Sequence, residues 1–438
     1  MIGTSDEEAI EQIRENPYLQ YFIGKPEFSN EIPFNPSMFV HFRKRLGKDI
    51  IQKVNKRIVE LATAEKRTTD KKDMENDDDK PDSGSNKGKL IIDATCAPAD
   101  VAYPTDLNLL SSAREKTEKI IDTLFKPLKG KSFKPRTYRK KARKEYLRAA
   151  KSRRLSARKR RLAVGKQLRY LRRNLKHINT LLDNLDNGLE LLGSKQYHDL
   201  LVINEVYRQQ LSMFKQRSSR IDDRIISISQ PHIRPIVRGK AKAKTEFGAK
   251  ISASVIDGYT FIDMISWDAF NESERLEIQV ENYRSTYGYY PESVHADQIY
   301  RTRNNLKFCK EHGIRLSGAK LGRSPKVTDE NRAIIEANKK IARQDELDRI
   351  EIEGKFGQAK RRFSLNRVMT KLSATSECAI SLTVLVMNLE KWMKSIFLRL
   401  FYRLRIAGLA YISLVIRQYY FNNVNCFRAL GRKSKIIC

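Results

Sequence analysis

The stretch Lys89-Leu90-Ile91-Ile92-Asp93-Ala94-Thr95-Cys96 decides how this chain folds. It is a short, continuous apolar run, too brief for a helix, and it predicts a buried strand ending in the carboxylate of Asp93. Just before it, Lys66 to Lys87 is almost wholly polar and holds Asp77, Asp78, Asp79, Pro81, Gly84 and Ser85. Such a segment cannot bury a core, so residues 66–88 read as a disordered polar linker. Its adjacent carboxylates lack the fixed geometry a metal needs. Upstream, residues 1–65 read as a helical unit, punctuated by Pro33, Pro36 and Ser37 before an amphipathic stretch from Met38 to Leu61.

After the strand the pattern turns helical and basic. Lys134 to Lys176 holds twenty Lys or Arg and one acid, Glu145. Leu162, Leu168, Tyr170, Leu171 and Leu175, continued by Ile178, Leu181, Leu182 and Leu185, mark an apolar side. One long helix, or a pair, is expected with one face packed and the rest charged. So one-sided a ratio favours phosphate contact over a merely solvated face, with Arg153, Arg154, Arg158, Lys159, Arg160 and Arg161 in the contact. Residues 97–245 thus form a mostly helical basic insertion.

A basic loop, Arg234 to Lys244, then leads to a hairpin: Lys250 to Ile256 and Tyr259 to Ile265 flank the turn Asp257-Gly258. Asn271 with Glu274 gives a capping-box-like helix start, Leu276, Val280, Tyr283 and Tyr287 give its stripe, and Gly288 ends it. A strand from Ser293 to Asp297, a helix from Arg301 to His312 and a strand from Ile314 to Leu316 follow. Helices from Asp329 to Arg362 and from Ala379 to Arg405 complete an α/β plan with a mixed sheet.

Lys and Arg number 85 against 52 Asp and Glu, a net charge of +33. A chain so basic attracts polyanions, with nucleic acid ahead of an anionic membrane. Its longest apolar segments, Ala379 to Leu389 and Ile406 to Ile416, are too short to span a bilayer and read as buried helices. Asp6, Glu7 and Glu8 do not suit a signal peptide, and five scattered cysteines (Cys96, Cys309, Cys378, Cys426, Cys438) fit a reducing cytoplasm. No phosphate-cradling Gly-rich Lys-Ser/Thr loop is present, so ATP use is not expected. Cys309 and His312 form an isolated pair without the partners zinc requires.

Three acids stand out by position: Asp93 and Asp297 close strands, and Glu353 lies in a late helix. Carboxylates so placed can converge at one sheet edge, an arrangement that suits two Mg²⁺ ions with Mn²⁺ as the alternative. Arg349, Glu353 and Lys360 fall within about 60° on one helical face. Ile352, Phe356, Ala359 and Phe363 form the adjacent packing stripe, and Gly354 and Gly357 leave room for a close approach of DNA backbone. His295 shares the strand face of Asp297 and reads as a packing or supporting residue.

Longer strings carry a resemblance. Asn16-Pro17-Tyr18-Leu19, Phe22-Ile23-Gly24, Pro33-Phe34-Asn35-Pro36-Ser37 and Phe42-Arg43-Lys44-Arg45-Leu46-Gly47 are joined by Ile265-Ser266-Trp267-Asp268-Ala269-Phe270-Asn271-Glu272-Ser273. Tyr290-Pro291-Glu292-Ser293-Val294-His295-Ala296-Asp297, Ile299-Tyr300-Arg301-Thr302-Arg303-Asn304, Gly313-Ile314-Arg315-Leu316-Ser317-Gly318 and Glu353-Gly354-Lys355-Phe356-Gly357-Gln358-Ala359-Lys360-Arg361 follow. The chain resembles DDE transposases of bacterial insertion sequences, in the insertion sequence 5 group.

The resemblance implies an RNase H-like mixed-sheet core, residues 89–96 and 246–400, behind a helical N-terminal DNA-binding domain. It implies Asp93, Asp297 and Glu353 as the catalytic and metal-binding triad. Arg349, Glu353 and Lys360 match the family's Tyr-Arg-Glu-Lys signature in spacing, with Glu346 where the Tyr would stand. The implied reaction cleaves DNA at the element's terminal repeats and joins the 3′-OH ends to target DNA, with Arg349 and Lys360 steadying phosphates. A homodimer on DNA and a place at the bacterial nucleoid follow from it. Rival readings are a non-catalytic DNA-binding remnant and a metal-dependent nuclease without strand transfer. In many relatives an inserted segment precedes the Glu; here the long segment follows Asp93. Residues 401–438, a basic aromatic tail with Tyr419, Tyr420 and Phe421, match nothing in the family.

Overall fold

The computed structural model describes residues 4–73, 86–152, 154–237, 245–319 and 332–433, together with 322 and 328. Three helices open the chain. α1 (Asp6–Glu15) starts at a reciprocal capping box, in which Ser5 Oγ accepts from Glu8 N and Glu8 Oε2 accepts from Ser5 N. α2 (Pro17–Phe22) begins on a proline that has no N–H to leave unpaired, and the Asn16 side chain accepts from Tyr18 N and Leu19 N. α3 (Met38–Asp73) is interrupted at Gly47, whose φ of 57° lies outside the helical region. The break expected at residue 65 falls inside α3, because Ala64, Glu65, Lys66 and Arg67 are good helix formers that carry the turn onward. Residues 74–85, the greater part of the expected linker, lie outside the described residues.

β1 (Lys89–Pro98) is buried along most of its length, as its apolar run requires. Four helices then form the insertion: α4 (Asp106–Phe125), α5 (Arg139–Ala150), α6 (Ala157–Asp183) and α7 (Ser194–Gln216). They share a core that includes Leu110, Ile121, Leu171, Ile178, Ile203 and Val206. Of the two arrangements expected for the basic stretch, one long helix or a pair, it is the pair that forms. Ser156 caps a fresh start, its Oγ accepting from Lys159 N, so α5 and α6 are separate helices. Leu162, expected on the packed face, is 60% exposed, because the buried stripe of α6 begins only at Gln167 and Leu168. Inside this bundle Arg114 is almost fully buried and donates to Glu118 at 2.6 Å and to Glu115 at 3.0 Å.

The sheet resumes with β2 (Arg234–Val237), β3 (Thr245–Ile256) and β4 (Tyr259–Ser266). β2 was expected as part of a basic loop and instead pairs with the start of β3; residues 238–244 lie outside the described ones. The hairpin turn sits at Asp257-Gly258, with φ of 51° and 75° as a turn with two left-handed residues needs. α8 (Leu276–Tyr287), β5 (Ser293–His295), α9 (Arg303–Glu311), β6 (Arg315–Leu316), α10 (Arg332–Arg362) and α11 (Ser373–Lys433) follow. Gly288 ends α8 in the left-handed region. Asn271 caps a 3-10 turn, Glu272–Arg275, rather than α8 itself.

The sheet is mixed, in the order β2-β3-β1-β5-β6 with β4 also on β3. β3 runs antiparallel to β1 and β4, while β1, β5 and β6 are mutually parallel neighbours. Gly248 lies where β1 and β3 approach so closely that a Cβ would stand 2.0 Å from the Ala97 carbonyl oxygen. One face of the sheet packs Leu90, Ile92 and Val294 against Leu276, Val280 and Tyr283 of α8. On the other, Ile91 and Val255 meet Ile352 and Phe356 of α10.

The chain divides into two compact units, Met1–Lys53 with Asp79–Val384, and Val54–Asp78 with Leu385–Cys438. Within the first, Asp6 pairs with Arg43, and Lys48 pairs with Glu377, which also accepts from the Trp267 indole. Within the second, Asn388 donates to Asn55 at 2.8 Å. Among the described residues no helix is long and apolar enough to cross a membrane.

Candidate active site

The register of two parallel strands brings the first two acids together. Ile91 of β1 stands opposite His295 of β5. Two residues further on are Asp93, within β1, and Asp297, just past the end of β5 in extended conformation, so that both continue the face that carries Ile91. That face is the one α10 covers, with Ile352 seated on Ile91 and Val255. Arg349, about one turn before Ile352 on α10, and Glu353, the residue after it, lie beside the same edge. Arg349 Nη1 stands 3.7 Å from Asp297 Oδ1, and its Nη2 3.8 Å from Glu353 Oε1.

The three acids differ in setting. Asp297 and Glu353 are exposed, whereas Asp93 is half-buried. Asp297 caps the 3-10 turn Gln298–Tyr300, accepting from Gln298 N at 2.7 Å. Asp93 Oδ1 accepts from Ala94 N at 2.8 Å. Burial pushes the Asp93 carboxyl up to about 6; the negative charges of Glu272 and Asp297 add to the rise, against the Ala94 N–H and the Arg349 guanidinium. Lys360 lies two turns beyond Glu353 on α10, half-buried.

Two neighbours were not legible in the sequence as site residues. Glu272 is ion-paired to Lys250 at 2.8 Å, and Lys250 also donates to the Phe270 carbonyl at 2.7 Å. Tyr300 is fully buried, and its hydroxyl has no hydrogen-bond partner among the described residues. Burial and the charges of Glu272, Asp93, Asp263 and Asp297 all raise its pKa. Asn305 joins the two segments, donating to the carbonyls of Ser273 at 2.8 Å and Tyr300 at 2.7 Å. In the sequence Glu272 looked like part of a helix start, and only the packing of two short turns reveals its other surroundings.

With Glu272 paired to Lys250, the Arg349 guanidinium faces three carboxylates. Oxygen donors of this kind suit a hard divalent cation. Among the described residues no three His, Cys, Asp or Glu side chains already stand close enough to share a metal ion. Arg349 stands between two of the acids.

The basic insertion presents a different surface. Arg154, Arg158, Lys159 and Arg160 are exposed, while Arg161 stacks over the Phe214 ring at 4.1 Å. Arg153 lies outside the described residues. α5 adds cations of its own: Lys140, Arg143, Lys144, Arg148 and Lys151, with Leu147, line a shallow concavity of about 480 Å³.

Residues 294–390 match a family model described as a transposase DDE domain, and residues 1–45 match one described as a transposase domain (DUF772). The first range contains Asp297, Arg349, Glu353 and Lys360. Together these matches support a DDE-type transposase, an enzyme class that binds DNA and generally uses divalent metal ions. The chain is also similar to an uncharacterized protein, ORF8 in the nfe locus of Rhizobium meliloti, being 32% identical over 109 residues. That segment is 25% of this chain and spans 46% of the relative's length. No solved structure matches.

Proposed function

We propose that this chain is a transposase of the insertion sequence 5 group, which cleaves DNA at an element's terminal repeats and joins the freed 3′-OH ends to target DNA. The observation that carries the reading is the parallel register of β1 and β5, with Asp93 beside Asp297 under the face of α10 that bears Arg349 and Glu353. A five-strand path with one antiparallel member, flanked by helices on both faces, supports an RNase H-like core.

Asp93, Asp297 and Glu353 would hold one or two Mg²⁺ ions, with Mn²⁺ as an alternative. A bound divalent ion supplies charge neutralisation at the scissile phosphate and makes the attacking oxygen more acidic. The chain's own residues do the positioning that phosphoryl transfer mostly consists of. Asp93, whose carboxyl burial pushes up to about 6, would serve as a ligand in its ionised form. Arg349 leaves its place between Asp297 and Glu353 to steady a phosphate, as Lys360 does. The N-terminal residues 1–65 recognise the terminal repeats, and the insertion grips the duplex backbone. A homodimer brings two ends together at the nucleoid in the cytoplasm, and the tail 401–438 has no role in this scheme.

A cleavage and joining assay on plasmid-borne ends tests the reading. Asp93→Asn, Asp297→Asn and Glu353→Gln should each abolish Mg²⁺-dependent cleavage while sparing DNA binding, and chelation should do the same to the wild type. Cleavage without joined product would reduce the protein to a nuclease, and binding alone to an inert remnant. Near-normal cleavage by any one variant would remove that residue from the triad.

A further inference from the structure

α10 meets the sheet through two kinds of contact. Its later turns are apolar, with Ile352 and Phe356 on Ile91 and Val255. The two turns before them are ionic. Arg315 of β6 donates from Nη1 and Nη2 to the two carboxylate oxygens of Asp345, each at 2.8 Å. Lys89 of β1 donates to Asp348 Oδ2 at 2.7 Å. Between them lies His295 of β5, wholly buried, with Nδ1 3.5 Å from Asp345 Oδ1 and Nε2 3.8 Å from Asp348 Oδ2. Its Nε2 is also 2.9 Å from Ser293 Oγ.

These groups stand in rows across three strands. Lys89, Ser293 and Arg315 are in register on β1, β5 and β6, and the next row on the same face is Ile91 and His295. The row after that is Asp93 with Asp297. α10 runs along these rows: Asp345 and Asp348 meet the first two, Ile352 lies on Ile91, and the long side chain of Arg349 reaches forward to Asp297 and Glu353. Apolar contact is non-directional and leaves a helix free to shift or roll. A bidentate guanidinium–carboxylate pair is directional, and pairs made to shielded carboxylates, as Asp345 and Asp348 are, can specify one docking among several. One residue of slip along α10 moves Glu353 by roughly 1.5 Å and turns it by about 100°.

We propose that the seam of Lys89 and Arg315 against Asp345 and Asp348, with the buried imidazole of His295 packed between them, sets the station of α10 on the sheet, and so places Arg349 between Asp297 and Glu353. All five are then positioning residues for phosphoryl transfer, a role that rests on the transposase reading of the site.

The test compares Arg315→Gln, Arg315→Lys and Asp345→Asn in the full-length chain. Arg315→Gln and Asp345→Asn should slow Mg²⁺-dependent cleavage of end DNA by roughly 10- to 100-fold, the range for losing a group that orients a metal ligand. DNA affinity should not change. Amide hydrogen exchange across residues 345–356, measured without metal or DNA, should accelerate while the helices of the insertion keep their protection. Arg315→Lys, which keeps the charge but loses the fork, should fall between and remains informative if Arg315→Gln does not fold. Unchanged exchange in α10 overturns the seam. Faster exchange with undiminished cleavage overturns the positioning role. If the wild-type chain itself does not cleave, the transposase reading fails and takes the positioning role with it, while exchange alone still decides the docking.

Discussion

Asp93 is half-buried, and its charge carries a cost of its own. Its pKa of about 6, set mainly by burial, lies above the ordinary value near 4. Between those two values the folded chain holds a proton that the unfolded chain has released, so stability falls as pH rises through the window. Above it the buried charge is a standing cost, on the order of 1–3 kcal/mol in the absence of a counter-ion. Asp93→Asn removes that charge. The metal-free variant should therefore melt above the wild type at neutral pH, and the difference should vanish near pH ~4, where both carry a neutral group. Calorimetry across that range checks it. An Asp93→Asn chain no more stable than wild type at neutral pH would mean that Asp93 ionises without penalty. A stabilised but inactive variant would separate the function of this residue from any structural one.

The helices of the insertion carry much of the chain's surplus charge, and their packing sorts it. Lys134 and Arg139 pair with Asp122, and Lys166 pairs with Glu145. Arg173 lies over the Tyr138 ring at 4.8 Å. Lys140, Arg143, Lys144 and Arg148 of α5 and Arg158, Lys159 and Arg160 of α6 face outward instead. Replacing Arg153, Arg154, Arg158, Lys159, Arg160 and Arg161 with Gln should weaken end DNA and random DNA by similar factors, since phosphate contacts carry little sequence information. The slope of log affinity against log salt should flatten by roughly 0.9 for each phosphate that the variant no longer neutralises. Arg161 also covers Phe214, so its replacement should lower thermal stability slightly as well. Titrations at several salt concentrations that give the wild-type slope would assign this face to solvent or to a partner subunit.

At the scale of the whole molecule, the N-terminal helices as far as residue 53 belong with residues 79–384 in one compact unit. Lys48, held by Glu377 and through it connected to Trp267 at the end of β4, ties them there. Deleting residues 1–65 should therefore abolish preference for terminal repeats over random DNA and also expose apolar surface, seen as lower solubility and a lower melting temperature. Competition binding with the two DNAs reads the first effect and calorimetry the second. Undiminished preference in the truncated chain would move repeat recognition elsewhere.

What the sequence by itself determined is local and periodic. The apolar run before Asp93, the Asp257-Gly258 turn, the stripe of α8 and the four- and seven-residue spacings of Arg349, Glu353 and Lys360 all depend on near neighbours, and they could be read directly. What only the tertiary structure decided is pairing across long separations. That β1 lies beside β5 as well as β3, that Glu272 stands near Asp93, that the basic segment folds as four helices, and that Lys89, His295 and Arg315 line up beneath α10 are consequences of chain closure over long intervals. Such contacts form because a sheet buries both faces and because charges taken out of water must find partners. Periodicity reports which face of an element is buried. It does not report which element arrives to bury it.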